Sequence, residues 1–159
     1  MRAARTRCSQ KSAAKLFCCE QEVAFCGIRK WHMPFVESFI MEGAQEYDWD
    51  APTWDDVHEA LARLDGSTFH TLTLIGRGGV QLGVSMGSNG RIMVNWHSWT
   101  SDESWVIVAT KEDEHATVLL EGAEYPARQF VAPSIAAEAA RAFFDDGARL
   151  AEVTWESPG

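Results

Sequence analysis

Residues 133–159, PSIAAEAARAFFDDGARLAEVTWESPG, decide the fold. Ser134 reads as an N-cap, and Ile135, Ala139, Ala142 and Phe143 recur at i, i+4, i+7 and i+8, so one apolar stripe runs along a helix. Phe144 widens that stripe, while Ala136, Ala137 and Ala140 are small enough to let the helix lie close on a sheet. Asp145-Asp146-Gly147 stops it, and Leu150 to Trp155 can return as a short strand. The segment holds no nucleophile motif, metal cluster or phosphate loop. It is built to pack.

Upstream, the chain reads as strand and turn. His70 to Ile75, Gln81 to Met86 and Arg91 to Trp96 are strand-length runs, and in the second and third Leu82, Val84, Met86 and Ile92, Val94, Trp96 fall on one side. Gly76-Arg77-Gly78-Gly79 and Gly87-Ser88-Asn89-Gly90 separate them with residues that accept positive φ. Trp105 to Ala109 follows the polar loop HSWTSDES, and Thr117 to Leu120 and Tyr125 to Phe130 are two further strands. Before this block, Phe35 to Met41 is a first strand, EGAQEYDWDAP a loop, and Thr53 the N-cap of a helix from Trp54 to Leu64 ended by Asp65-Gly66. The predicted class is α+β: an antiparallel meander with one helix before it and one C-terminal helix packed on the sheet, closing in a short strand.

The chain has 159 residues and a net charge of −9, unevenly placed. Residues 1–32 carry seven basic residues against Glu20 and Glu22, a balance of +5, which leaves −14 on residues 33–159. A body this acidic repels nucleic acid and anionic membranes and steers towards basic partners; a solubilising surface is the plainer alternative. The four cysteines, Cys8, Cys18, Cys19 and Cys26, all sit in the basic stretch without paired zinc-knuckle spacing, which points to free thiols in a reducing cytosol. Residues 1–32 are expected to be a disordered extension or a start-site artefact with Met33 as the first residue, and residues 33–159 a single domain. No run reaches the roughly 18 apolar residues of a membrane helix, and a cytoplasmic location is expected.

Candidate chemistry is thin. Gly76-Arg77-Gly78-Gly79 lacks the following helix and the Gly-Lys-Ser/Thr of a phosphate loop. No histidine pair has metal-ligand spacing, so no metal or cofactor is expected. Gly83-Val84-Ser85-Met86-Gly87 matches a nucleophile elbow by letter, which makes a small hydrolase using Ser85 the enzymatic alternative. The elbow needs a strand feeding a helix, however, and Ser85 lies in a strand that runs into a turn. Two aromatic-acidic clusters are more suggestive: Glu46-Tyr47-Asp48-Trp49-Asp50, and the span from Trp96-His97-Ser98-Trp99 to Asp102-Glu103, with Trp99 in its loop. An aromatic ring among carboxylates in a polar loop suits a hot spot for a basic protein surface; the plainer reading folds these rings back over the sheet edges.

The glycine-punctuated HTLTLIGRGGVQLGVSMGSNGRIMV, the arrangement of Pro133, Ala137, Ala140, Phe143 and Gly147, and the terminal Val153-Thr154-Trp155 together resemble the actinobacterial-type immunity proteins of polymorphic toxin systems, the first-catalogued α+β immunity family. The resemblance spans about Phe69 to Trp155. Departures are Leu150, where members often place a proline soon after the helix-ending glycine, and the basic residues 1–32, which have no counterpart. The resemblance implies a non-enzymatic cytosolic antidote that binds the C-terminal domain of a toxin encoded beside it and occludes its active site. Toxins paired with that family are frequently nucleic-acid deaminases, with other nucleases among them. It implies no direct contact with nucleic acid or membrane and no small-molecule ligand. A soluble α+β binding module without a toxin remains the third reading.

Overall fold

A computed structural model of the chain describes residues 33–109 and 116–158. The expectations for the basic, cysteine-bearing stretch fall outside those residues. The elements in order are β1 (Val36–Gly43), β2 (Tyr47–Asp50), α1 (Trp54–Ala62), β3 (Phe69–Gly76), β4 (Val80–Met86), β5 (Ile92–Ser98), β6 (Glu103–Val108), β7 (Thr117–Leu120), β8 (Ala123–Pro126), β9 (Phe130–Val131), α2 (Pro133–Asp146) and β10 (Thr154–Glu156). One antiparallel sheet runs β10-β6-β5-β4-β3-β1-β2, with β9 added to β5, and β7-β8 is a separate hairpin. The fold is α+β with a meander at its centre, as the strand-and-turn pattern predicts.

Strand alternation decides which residues meet the helices. Phe39 and Met41 of β1, Leu72 and Leu74 of β3, Leu82 and Val84 of β4, and Ile92 and Val94 of β5 are buried in one cluster with Val57 and Ala60 of α1 and Ala136, Ala139, Ala140 and Phe143 of α2. Both helices therefore cover the same side of the sheet. Full burial of a side chain such as Phe143 contributes about 1.5–3 kcal/mol over leaving it exposed. Phe35 meets Phe143 edge to face, and Trp54 of α1 meets Phe144 the same way, joining the helices to each other and to the chain entering β1. Gly147 ends α2 at φ 77, and an added Cβ would lie 2.5 Å from the Phe35 ring, so only glycine fits there.

Four local readings are corrected. Ser134 is not the N-cap of α2: Pro133 occupies the first helical turn, where its missing N–H costs nothing, and this moves the cap to Ala132, whose side chain caps nothing. Residues 47–50 form the edge strand β2 rather than part of a loop. The strand expected from Tyr125 to Phe130 is broken: β8 ends at Pro126, a 3-10 turn covers Ala127–Gln129, and β9 resumes on β5. Proline cannot donate to a ladder, which accounts for the break. The closing strand is shorter than Leu150 to Trp155, covering Thr154–Glu156 only.

Candidate partner-binding face

The side of the sheet away from the helices is mostly polar and, among the described residues, largely half-buried to exposed, with Val106 buried. Register sets one row across it through Asp50, Ser38, Ile75, Gln81, His97 and Ser104, and a second through Asp48, Ile40, Thr73, Gly83, Asn95 and Val106. A third row, through Glu42, Thr71, Ser85 and Met93, leads towards the β7-β8 hairpin. That hairpin covers one corner, where Val118, Leu120, Ala127 and Phe130 bury a small cluster with Met93. Sheets that face water on one side carry this alternation of apolar-in and polar-out.

Pairing of β2 with β1 splits the first aromatic-acidic cluster in two. Trp49 lies opposite Phe39 and Tyr47 opposite Met41, on the helix side; Asp48 lies opposite Ile40 and Asp50 opposite Ser38, on the open side. Trp49 stacks on Phe39 with ring centroids 5.9 Å apart, and Tyr47 meets Phe69 edge to face at 5.6 Å. Both rings thus fold back onto the sheet edge yet keep 46% and 43% of their surface exposed. Glu46, Asp48 and Asp50 are exposed beside them.

The second cluster sits in the β5-β6 turn. Trp99 donates its backbone N–H to Gly79 O at 2.9 Å and its indole N–H to Gln81 Oε1 at 3.4 Å, while its ring meets His97 edge-on at 4.3 Å. These contacts hold the indole against the open face with 68% of its surface exposed. His97 Nδ1 shares a hydrogen bond of 2.8 Å with Ser104 Oγ, and His97 Nε2 is shielded without a partner among the described residues. Asp102, at φ 54, and Glu103 complete the turn and are exposed; aspartate is among the residues that tolerate that left-handed geometry. Four strand spacings separate β2 from β5, about 19 Å at about 4.8 Å each. The clusters are therefore two flanks of one face.

Ser85 lies within β4, where its Oγ is 3.0 Å from Thr71 Oγ1; Thr71 also donates to Glu121 Oε1, whose carboxylate is 2.7 Å from His70 Nδ1. Past Met86 the chain enters a 3-10 turn at Ser88–Gly90, not the helix of a nucleophile elbow. The Arg77–Gly79 stretch is the β3-β4 turn, with Gly78 and Gly79 both at φ 75 and β4 following directly. Among the described residues no group of three or more His, Cys, Asp or Glu is placed to hold a metal. No helix among them is long and apolar enough to cross a membrane.

Among the described residues, two carboxylates have perturbed titration. Asp65, just past α1, accepts from the backbone N–H groups of Ser67, Thr68 and Phe69, which holds it well below the usual carboxylate range. Asp56 is lowered by bonds from the Thr53 hydroxyl and backbone N–H, the reciprocal capping box of α1. Both serve the helix ends. Of the polar residues of the open face, Gln81, Asn95 and Ser104 were not singled out in the sequence, although their place in the meander's alternation was the signal available.

The model of the family described as Immunity protein Imm1 matches residues 45–157, which is most of the chain and includes β2 and α1 as well as the meander, and the chain belongs to that family. No curated protein and no solved structure matches it. Membership carries an immunity function, the binding and inhibition of a cognate toxin.

Proposed function

We propose that residues 33–159 act as one immunity-type domain that lays its open sheet face over the active-site groove of a cognate toxin domain in the cytoplasm. Glu46, Asp48 and Asp50 press on one side of that groove and Asp102 and Glu103 on the other, with Trp99 as the aromatic anchor on the open face and Tyr47 and Trp49 meeting the toxin where it wraps the β2 edge towards α1. The toxin is basic and acts on nucleic acid, as a deaminase or nuclease does. The observation that carries this reading is the pair of exposed aromatic-acidic clusters framing a mostly polar face in an Imm1 member. Large exposed rings bounded by charge are what protein hot spots are made of. The charge of −14 on this body suits a groove shaped for a polyanion.

Association kinetics test it. Reversing Asp48, Asp50, Asp102 and Glu103 together to lysine should slow association with the toxin domain at least tenfold at low salt and flatten its salt dependence. An unchanged association rate would remove this face from the account.

A further inference from the structure

Between β2 and α1 lies a narrow cleft of about 90 Å³ walled by Phe39, Tyr47 and Trp49 on the sheet and by Asp56, Glu59 and Arg63 on the helix. Its volume is room for about three waters, far below the roughly 300–1,000 Å³ of a metabolite pocket. It is the size of one side-chain head group. We propose that this cleft receives an arginine side chain of the partner, the guanidinium stacking on Trp49 and pairing with the Glu59 carboxylate.

Three observations support an arginine. First, Trp49 is stacked on Phe39 through one face, and it stands on the sheet's edge strand with 46% of its surface exposed, so a flat cation can lie against the rest. Second, Glu59 is exposed, and among the described residues its carboxylate has no ion pair or hydrogen bond, while Asp56 is held ionised by its bonds from Thr53. Third, the chain's own Arg63 already places its guanidinium 5.9 Å over Phe69, the ring that Tyr47 meets edge-on, so guanidinium stacking suits this wall of rings. A planar, always charged guanidinium meets a ring and a carboxylate at once, which a lysine ammonium does less well. The proposal rests on the toxin-binding reading and names the chemistry of one contact within it.

The test needs no toxin. N-acetyl-arginine amide is titrated into the full chain while the Trp49 indole N–H resonance, assigned with Trp49→Phe, is followed; N-acetyl-citrulline amide is its uncharged isostere. The expected result is a saturable shift with millimolar affinity for the arginine probe, at least threefold weaker in Glu59→Gln and absent with citrulline. No saturable shift, or an equal one with citrulline, overturns the proposal. A toxin that binds the chain but loses less than threefold in affinity on Trp49→Ala and Glu59→Gln also overturns it, while leaving the toxin-binding reading intact.

Discussion

Replacing Trp99 by alanine separates what the open face does for folding from what it does for binding. In the folded chain the indole is 68% exposed and makes two side-chain contacts, the edge-on approach to His97 and the 3.4 Å bond to Gln81. An aromatic pair is worth about 0.5–1.5 kcal/mol, and an exposed hydrogen bond this long adds little. The cost to stability is therefore about 1 kcal/mol, a few degrees in Tm. As an anchor buried by a partner, the same ring should be worth at least about 2 kcal/mol of binding, or about thirtyfold in Kd. Thermal denaturation and calorimetric titration against the toxin domain read the two quantities on one sample. A Tm that falls by only a few degrees with a Kd weakened thirtyfold or more is expected. A Kd within threefold of the parent would refute the assignment of this turn to the interface, and a large loss of Tm would show that the ring serves the core.

Three further outcomes follow from the packing and the titration. Phe143→Ala, which empties a fully buried ring site under α2, should cost about 3–5 kcal/mol in denaturant unfolding; a loss under 1 kcal/mol would mean that α2 is not docked as described. Asp65→Asn should lower Tm at neutral pH: the folded-state pKa lies below the ordinary 3.8, so the stabilisation is fully present above about pH 4 and fades as pH falls further, and the gap between parent and variant should close on acidification. A gap independent of pH down to 3 would contradict the role given to the carboxylate. Ser85→Ala should leave toxin binding within threefold and should not change labelling by a serine-reactive probe; labelling that Ser85→Ala abolishes would revive the hydrolase alternative.

Much of the fold was legible because its signals are local. The apolar stripe and small residues of α2, Gly147 closing it, Thr53 capping α1 and glycine pairs between the meander strands each have one physical reading. What escaped depended on distant partners. Tyr47-Asp48-Trp49-Asp50 alternates with the period of a strand, but its aspartates are disfavoured in sheets, and only pairing with β1 holds it extended. The two-residue β9 has no signature of its own and exists because β5 offers it a ladder. The same dependence hid the geometry of the site. The aromatic-acidic residues were visible as a composition, whereas the division that sends Trp49 towards α1 and Asp48 and Asp50 to the open face appears only with the register. Ser134 shows the opposite failure: a good capping residue was read as a cap although the proline before it had already set the frame.

The most direct test of the account is a titration of the full chain against its cognate toxin domain, sought first in the adjacent gene, at low and at moderate salt. Nanomolar or tighter binding that weakens as salt rises is predicted, together with loss of the toxin's activity at one equivalent. Absence of binding at micromolar concentrations, or binding that leaves the toxin active, would contradict it.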